Sequence, residues 1–293
     1  MATTRTSTAK AVSALAHLIP ETRFYDDYIS RKVGGVKDTE LLKYAKASKS
    51  NVLVFGPTGP GKTSWILAYG AKSKSPVVTV QCNGAVDPNS FWGGIAFDES
   101  GNITGWQNSE ITEVILNGGI LYMDEVNFLA PKISAVFHGL LDKRRQITIP
   151  ELGNRVIKAH DDLQVIASYN PDYEGTKPLN AAFKNRFKIK VKFDYDEAVE
   201  KELLCLPVMQ DIARKLRAAH TAGDLETPIS TNMLIEFEEL AIDLGYDFAV
   251  SNFLNAFAEE ERAAVAEAFD MHSVEIKAQV VEMERLASEV ETP

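Results

Sequence analysis

The amino-acid sequence predicts an α/β fold in which a parallel β-sheet wrapped by helices is followed by a small all-helical domain. Short apolar runs alternate with helix-compatible stretches from about Asn51 to Phe193, which is typical of a parallel sheet. After Asp194 the apolar residues recur at helical spacing. The length of 293 residues suits about two domains. We therefore expect an α/β domain over residues 1–193 and a helical domain over residues 194–293.

Five short segments rich in branched and aromatic residues are the predicted strands. In chain order they are Asn51–Phe55, Val77–Gln81, Gly119–Met123, Leu163–Ala167 and Lys188–Lys192. The first, third and fourth are expected in the centre of the sheet because they are the most apolar. The fifth alternates lysines with apolar residues, which is typical of an edge strand that avoids pairing with other sheets. A nucleic-acid track is the alternative interpretation of these lysines.

The composition is that of an ordinary folded protein. Hydrophobic residues make up 45% and charged residues 25%. The net charge of −10 disfavours a protein that coats nucleic acid or anionic membranes through its overall field. Residues 259–293 hold ten acidic and three basic residues, so −7 of this charge lies in the last helical stretch. Cys82 and Cys205 are too few for a disulfide framework, so we expect a reducing compartment and no structural metal.

A phosphate-binding motif directly follows the first predicted strand. Residues Gly56–Thr63 read GPTGPGKT, which matches GxxxxGK[ST], and a helix-compatible stretch begins at Ser64. The glycines let backbone N–H groups face an anion, Lys62 brings a positive charge to the β- and γ-phosphates, and the Thr63 hydroxyl is suited to Mg²⁺. The motif in this context predicts a nucleoside triphosphate site, with an unliganded turn as the alternative. The predicted binding residues of this segment are Gly56, Pro57, Thr58, Gly59, Pro60, Gly61, Lys62, Thr63 and Ser64.

Two carboxylates, Asp124 and Glu125, follow the third predicted strand. We expect Asp124 to hold the nucleotide-bound Mg²⁺ through water, with Thr63 as a further ligand. We expect Glu125 to orient and polarise the attacking water, because phosphoryl transfer depends on positioning and charge stabilisation. Asn170 follows the fourth strand and would contact the γ-phosphate or the water. Ligands of doubly wound sheets gather at the carboxyl ends of strands, where Gly56 also lies. A solvated acidic turn is the alternative for the carboxylate pair.

The order and wording of these motifs resemble the AAA+ ATPases of the MoxR group, especially its CbbQ, NirQ and NorQ branch. The resemblance covers roughly residues 20–270. It rests on Gly56–Thr63, LYMDEVN at Leu121–Asn127, LLDKRR at Leu140–Arg145, ASYNP at Ala167–Pro171, and Asn185–Phe187 before Phe193–Tyr195. It implies a P-loop NTPase core with a five-stranded parallel sheet and a helical lid domain, with ATP and Mg²⁺ as cofactors.

The resemblance also implies roles for individual residues. Asn170 would be the first sensor, and Arg186 the arginine finger that reaches the γ-phosphate of a neighbouring subunit. A solvated base is the alternative for Arg186. A finger in trans is worth roughly 10³ to 10⁵ in turnover, so the resemblance implies a homo-oligomeric ring, most simply a hexamer. Gln81 or Asn83, which close the second strand, would hold Glu125 away from water until the ring is engaged.

The lid helix departs from the pattern of the family at one position. Related sequences often place an arginine there as a second sensor, whereas this chain has Asn232 after Ser230 and Thr231. The lid would then sense the γ-phosphate weakly, or would use Arg214 or Arg217 instead.

Two stretches resemble insertions of this group and are predicted to be hairpins, Ile95–Thr104 and Gln146–Lys158. They would face the axial side of the ring. Phe91, Trp92 and Phe97 would grip a partner there, and burial in the core is the alternative interpretation.

The acidic carboxyl-terminal stretch has a narrow apolar seam at Ile276, Val280, Met283, Ala287 and Val290. The seam is suited to docking on the lid or on a neighbouring subunit, and packing within the chain is the favoured interpretation.

These patterns predict an ATP-driven ring that remodels or activates a protein client, and the resemblance implies an adaptor with a von Willebrand factor A domain. A nucleic-acid translocase or restriction-type motor is a second class, which the basic stretch Lys184–Lys192 favours and the acidic balance disfavours. A nucleotide-gated scaffold with incidental hydrolysis is a third class, which Asn232 favours.

No apolar run approaches the roughly 18 residues that span a bilayer, so we do not expect a membrane protein. Residues 1–20 contain no acidic residue and are interpreted as an amino-terminal arm, with a targeting segment as the alternative. The expected location is the cytoplasm, because the nucleotide chemistry needs a compartment that holds ATP.

Overall fold

The computed structural model describes residues 15–82, 91–171 and 179–290, without the side chains of residues 151, 284 and 286–290. The chain forms two compact units, one running to Phe193 without Pro57–Gly61, the other from Asp194 onward together with Pro57–Gly61. The strands are β1 Lys32–Val33, β2 Val36–Lys37, β3 Val52–Phe55, β4 Val77–Gln81, β5 Gly93–Phe97, β6 Ile103–Asn108, β7 Gly119–Asp124, β8 Gln146–Ile149, β9 Arg155–Lys158, β10 Leu163–Tyr169 and β11 Ile189–Lys192. The α-helices are α1 Arg23–Asp26, α2 Asp38–Ala47, α3 Lys62–Ser73, α4 Glu110–Asn117, α5 Pro131–Leu141, α6 Ala181–Lys184, α7 Glu197–Leu203, α8 Val208–Ala222, α9 Thr231–Leu244, α10 Tyr246–Leu254 and α11 Glu259–Val290.

The first unit is built on a five-stranded parallel sheet in the order β11-β3-β10-β7-β4. This confirms the predicted fold class, with the three most apolar strands in the centre and the lysine-bearing strand at an edge. β7 and β10 run further than predicted, to Asp124 and Tyr169. The polar residues at these strand ends are therefore part of the ladder, where their backbone is held by hydrogen bonds.

Successive residues of a strand point to opposite sides, and apolar clusters cover both faces of the sheet. In β7, Leu121 and Met123 pack into one core cluster, whereas Ile120 and Tyr122 pack into the other. Helices α4 and α5 and the hairpin β8–β9 contribute to the first cluster. Helices α2 and α3 contribute to the second, where the Trp65 ring stacks on a phenylalanine of the edge-strand segment at a centroid distance of 5.1 Å.

Two antiparallel hairpins lie outside this sheet, β5–β6 and β8–β9, which confirms both predicted hairpins. A third, β1–β2, was not predicted because each strand has only two residues, too few for a periodic signal. The aromatic residues were expected either to contact a partner or to be buried in the core, and the two interpretations apply to different residues. Phe91 and Trp92 are buried beside Phe137, so the idea that they grip a partner is wrong. Phe97, with 62% of its surface exposed, is free to do so.

The second unit is helical, and its core centres on three phenylalanines. Phe237, Phe253 and Phe269 come from α9, α10 and α11, with ring centroids 4.9–6.0 Å apart. Ile276 and Val280 of the predicted seam are buried in the same core, which confirms packing within the chain.

The rest of the seam is described only in part. Met283 packs on the helical core, and the side chains of Ala287 and Val290 lie outside the described residues. Along the described ranges, none of the helices combines the length and the apolarity that a membrane crossing needs.

A buried ion pair ties three helices of this unit together. Glu200 on α7 is 2% exposed and accepts two hydrogen bonds from the Arg217 guanidinium on α8, at 2.8 and 2.6 Å. It also accepts the Thr231 hydroxyl at the start of α9, at 2.6 Å. Arg217 lies over the Tyr195 ring, 3.9 Å from the centroid, and its Nε donates to the carbonyl of Ile229. Removal of either charge would leave the other buried and unpaired.

Replacement of Arg217 tests this arrangement. We expect Arg217→Met to lower the free energy of unfolding by about 3–5 kcal/mol, because the Glu200 carboxylate then has no counter-charge. Arg214 on the same helix provides the matched control, since its pairs with Glu197 and Asp211 lie on the surface. Arg214→Met should cost no more than about 1 kcal/mol. Urea denaturation followed by circular dichroism measures both, and equal losses would contradict a stabilising role for the buried pair.

Candidate active site

The carboxyl ends of the three central strands meet at one edge of the sheet. β10 pairs with both neighbours, so that Tyr169 lies opposite Phe55 and Ala167 opposite Met123. All three strands run in the same direction, and the predicted site residues Gly56, Asp124 and Asn170 lie at their carboxyl ends. The structure thus brings together residues that are far apart in the sequence.

Lys62 is the clearest example of this convergence. It begins α3, only 8% of its surface is exposed, and its Nζ donates to the Gly56 carbonyl oxygen at 3.0 Å. The same Nζ donates to Oδ1 of Asn170. Burial lowers the pKa of Lys62 to about 8, an effect that the negative charges of Asp124 and Glu125 partly offset.

Gly56 is required by a close backbone approach. The segment after β11 crosses it, and the Phe193 amide donates to the Phe55 carbonyl at 2.8 Å. A Cβ atom at Gly56 would lie 2.0 Å from the Phe193 carbonyl oxygen, which no side chain can do. Glycine at this position therefore lets the loop leave β3 in close contact with the backbone of Phe193.

The remainder of the predicted loop leads into the first turn of a helix. Gly59 and Gly61 have φ values of +77° and +93°, in the left-handed region that glycine adopts freely. Pro57, Thr58 and Pro60 lie between the glycines. Thr63 is half-buried and Ser64 is exposed, and both belong to the first turn of α3. The unpaired N–H groups of such a turn attract anions.

A chain of hydroxyl groups connects the loop to the acidic strand end. Thr63 Oγ1 lies 3.2 Å from the Tyr122 hydroxyl, which lies 3.0 Å from Ser168 Oγ. Ser168 in turn donates to Oδ1 of Asp124. No role for Tyr122 or Ser168 was expected from the sequence, although a tyrosine and a serine within largely apolar central strands are a signal of buried hydrogen bonding.

Glu125 has an unusual backbone conformation. Its φ of 54° and ψ of 44° place it in the left-handed region, which is costly for a residue with a side chain and is often found at functional sites. Its amide donates to Asp124 Oδ1 at 3.1 Å. Gln81 Nε2 donates to Glu125 Oε2 at 3.0 Å. Gln81, of the two candidates, makes the predicted contact, and Asn83 lies outside the described residues.

Asn127 follows two residues later, in a short 3₁₀ turn. Both atoms of its side-chain amide are buried, and neither has a hydrogen-bond partner among the described residues. A buried amide without partners is rare in proteins. In the sequence, Asn127 is notable only as part of the family resemblance.

Arg186 lies apart from the cluster at the strand ends. Its Nη1 donates to the Ala182 carbonyl at 2.5 Å. Burial lowers the pKa of His138, and the Arg186 charge lowers it further. Hydrogen bonds from Arg144 lower the pKa of Asp142, and the Arg186 charge adds to that effect. No described residue at the three strand ends is among its hydrogen-bond partners. Within one subunit, Arg186 therefore does not join the site.

The residues considered for the second sensor are also placed. Ser230 caps α9 through a hydrogen bond from the Met233 amide, and Asn232 is exposed in the first turn. Arg217 is engaged by Glu200, so its use elsewhere would leave that carboxylate unpaired. Arg214 pairs with surface carboxylates on its own helix and on α7.

The oxygen atoms of Thr63 and Asp124 fit Mg²⁺ chemically. This ion prefers hard oxygen ligands and retains several waters, so a hydroxyl and one carboxylate beside a phosphate site are sufficient protein ligands. Their indirect connection through the Tyr122 and Ser168 hydroxyls places both at the same edge of the sheet.

Comparisons with known proteins agree with this architecture. Residues 51–187 match the AAA domain family of the dynein-related subfamily. The protein CbbQ of Hydrogenophilus thermoluteolus is 33% identical over an alignment of 208 residues, and the match covers 68% of this chain and 76% of CbbQ. An uncharacterised protein of Staphylococcus epidermidis is 33% identical over an alignment of 243 residues, and the match covers 77% of this chain and 92% of that protein. One solved structure, from Cytophaga hutchinsonii, covers 90% of this chain at 17% identity and a TM-score of 0.45, too distant to add to the assignment.

The lowered pKa of Lys62 predicts a pH dependence of nucleotide binding. A bound phosphate stabilises the charged amine, so binding above pH 8 requires uptake of a proton, and the affinity for ADP without Mg²⁺ should fall as pH rises from about 8 to 9.5. Calorimetry in buffers of different ionisation enthalpy measures both the affinity and the proton uptake. Lys62→Arg keeps its charge over this range and should give a flat profile. The same slope in both proteins would contradict the assignment to Lys62.

Proposed function

Because this chain belongs to the MoxR-like AAA+ ATPases, we propose that it acts as a homo-oligomeric ring, a hexamer, in which ATP hydrolysis remodels or activates a protein client. Nucleotide binding and ATPase activity come with the family. The observation that carries the proposal is the convergence of Lys62, Asp124, Glu125 and Asn170 at one edge of the sheet. A ring of this kind needs cytoplasmic ATP, so we place it in the cytoplasm.

Glu125 is the proposed base that orients the attacking water. A carboxylate in this role must reach the water beside the γ-phosphate. Glu125 directly follows Asp124, the last residue of β7. The hydrogen bond from Gln81 holds one of its oxygens at 3.0 Å. We propose that this bond restrains Glu125, and that its release accompanies engagement of the ring.

Lys62 and Asn170 are the proposed γ-phosphate contacts within the subunit. The hydrogen bond between them shows that both side chains reach the same point, where a phosphate oxygen would accept from the ammonium and from the amide. Thr63 and Asp124 would hold Mg²⁺. When bound, the ion neutralises charge that develops on the β- and γ-phosphate oxygens.

Arg186 is the proposed arginine finger for the neighbouring subunit. Its guanidinium donates to the carbonyl of Ala182 in the preceding helix α6, which limits the positions that the charge can occupy. A preorganised guanidinium loses less freedom when it meets the transition state. The family resemblance supports this role in trans, and the Arg186 guanidinium has no hydrogen bond to the described residues at the strand ends.

A protein client is favoured by the hairpin β5–β6. Ile95, Phe97 and Ile103 expose 58%, 62% and 68% of their surfaces, and Phe97 lies opposite Ile103. Asp98 and Glu99 occupy the turn beside them. An apolar surface with an acidic tip suits a polypeptide and repels nucleic acid. An adaptor with a von Willebrand factor A domain is the partner that the family resemblance suggests.

The basic edge strand does not favour a nucleic-acid motor. Lys184 lies over two rings at the end of the sheet, each 5.8 Å from Nζ. Lys188 lies 5.9 Å from the Tyr44 ring, and Lys190 donates to the Phe187 carbonyl at 2.7 Å. These three lysines therefore each make a contact within their own subunit.

Mixing of inactive subunits tests the finger. Arg186→Ala and Glu125→Gln should each lower ATP turnover by roughly 10³-fold or more. In a mixture, some sites combine an intact Glu125 with an intact Arg186 from the neighbour, so turnover should return. Arg144→Ala, at an exposed arginine paired with Asp142, is the control and should leave turnover unchanged. A mixture as inactive as its components would exclude action in trans.

Capture of the client tests the hairpin surface. The Glu125→Gln protein held in ATP should retain the candidate adaptor domain, and addition of Phe97→Ser should lower the amount retained roughly tenfold, as expected when a buried aromatic anchor is lost. Val156→Ser is the matched control, because Val156 is an exposed apolar residue on the other hairpin. Equal capture by both double variants would contradict the assignment, and salt-sensitive stimulation of turnover by DNA would favour the translocase instead.

A further inference from the structure

We propose that Tyr122 and Ser168 are positioning residues that orient the Thr63 hydroxyl and the Asp124 carboxylate for Mg²⁺. The inference rests on the proposed metal site and adds two residues that contact neither the metal nor the nucleotide. They act through the hydroxyl chain that connects α3 to the ends of β7 and β10.

The two central hydroxyls of this chain are enclosed by protein. Tyr122 and Ser168 are each 0% exposed. The Tyr122 ring lies in the apolar cluster between the sheet and the helices α2 and α3. Its hydroxyl lies 3.2 Å from Thr63 Oγ1 and 3.0 Å from Ser168 Oγ. A buried hydroxyl is costly unless it is hydrogen-bonded, and both partners of Tyr122 belong to this one site.

The carboxylate fixes the direction of every proton in the chain. An ionised carboxylate only accepts, so the single hydroxyl proton of Ser168 goes to Asp124. Ser168 can then only accept from Tyr122, whose single proton goes to Ser168 or to the nearby Asp124 carboxylate. Tyr122 must therefore accept from Thr63.

This direction prepares Thr63 for its proposed role as a ligand. A neutral hydroxyl binds a cation through its lone pairs and must direct its proton elsewhere. The Tyr122 oxygen receives that proton, so the lone pairs of Thr63 point away from the protein interior. At the other end, Asp124 Oδ1 is held by Ser168 and by the Glu125 amide at 3.1 Å. Preorganised ligands lose little freedom when the ion binds, which raises the affinity.

A purely structural role for the Tyr122 hydroxyl would have different consequences. Packing is supplied by the ring, which phenylalanine also provides. The oxygen contributes the hydrogen bonds to Thr63 and Ser168 and an interaction with the Asp124 carboxylate. Its removal should therefore weaken the effect of Mg²⁺ on nucleotide binding while it leaves binding without Mg²⁺ unchanged.

The test compares nucleotide affinity with Mg²⁺ and with EDTA, measured with a fluorescent ATP analogue under conditions without turnover. The Mg²⁺ effect is the dissociation constant in EDTA divided by the dissociation constant in Mg²⁺. For Tyr122→Phe, this ratio should fall by about three- to tenfold, as expected for the loss of one hydrogen bond. Ser168→Ala removes the next hydroxyl and should give a similar decrease. It also keeps the test informative if Tyr122→Phe folds poorly by circular dichroism. Tyr69→Phe, at another buried tyrosine of the same cluster, is the matched control and should leave the ratio unchanged.

Thr63→Ala separates this inference from the proposed metal site. If Thr63→Ala abolishes the Mg²⁺ effect while Tyr122→Phe and Ser168→Ala retain it in full, the positioning role is wrong and the metal site stands. If Thr63→Ala retains the full effect, the metal site is wrong and the inference fails with it. A loss of affinity that is equal with Mg²⁺ and with EDTA would also overturn the inference, because a general distortion of the loop would produce it.

Discussion

The parallel register of three adjacent strands is the constraint on which the site depends. β10 lies between β3 and β7, and the pairs Tyr169 with Phe55 and Ala167 with Met123 fix where each strand ends. A slip by one residue would move every side chain of a strand to the opposite face. Because both faces of these strands are buried, such a slip would place the polar ends in the core. The same apolar packing that forms the sheet therefore positions the phosphate loop, the carboxylates and the amide.

Burial of polar groups is the consequence of this arrangement. Lys62, Tyr122 and Ser168 lie almost entirely inside the protein, where an unpaired polar group is costly. Each is hydrogen-bonded to another residue of the site, so satisfaction of one group restricts the next. Burial lowers the pKa of Lys62 more than the nearby carboxylates raise it, which reflects the same cost of placing a polar group inside the protein. A site held in this way has its dipoles oriented in advance, which is the main source of electrostatic stabilisation in catalysis.

The helical unit shows how a charged residue can be committed to structure. Arg217 neutralises the buried carboxylate of Glu200, and the Thr231 hydroxyl at the start of α9 shares the same acceptor. An arginine in that position cannot contact a phosphate without leaving Glu200 unpaired. The chain has Asn232 where the family resemblance leads us to expect a second-sensor arginine. We therefore expect that Arg217 does not substitute for it.

Sequence patterns alone predicted the five-stranded parallel sheet, its central and edge strands, the two hairpins and the candidate site segments Gly56–Thr63 and Asp124–Glu125. These features are local: the spacing of apolar residues and the glycines of one loop specify them within a few residues. The folded structure was needed to show that Trp92 is buried whereas Phe97 is exposed, and that Gln81 is hydrogen-bonded to Glu125. It also revealed the hydroxyl of Tyr122 between two strands and a helix. Such contacts join residues distant in the chain, and their geometry depends on packing, which no short stretch of sequence encodes.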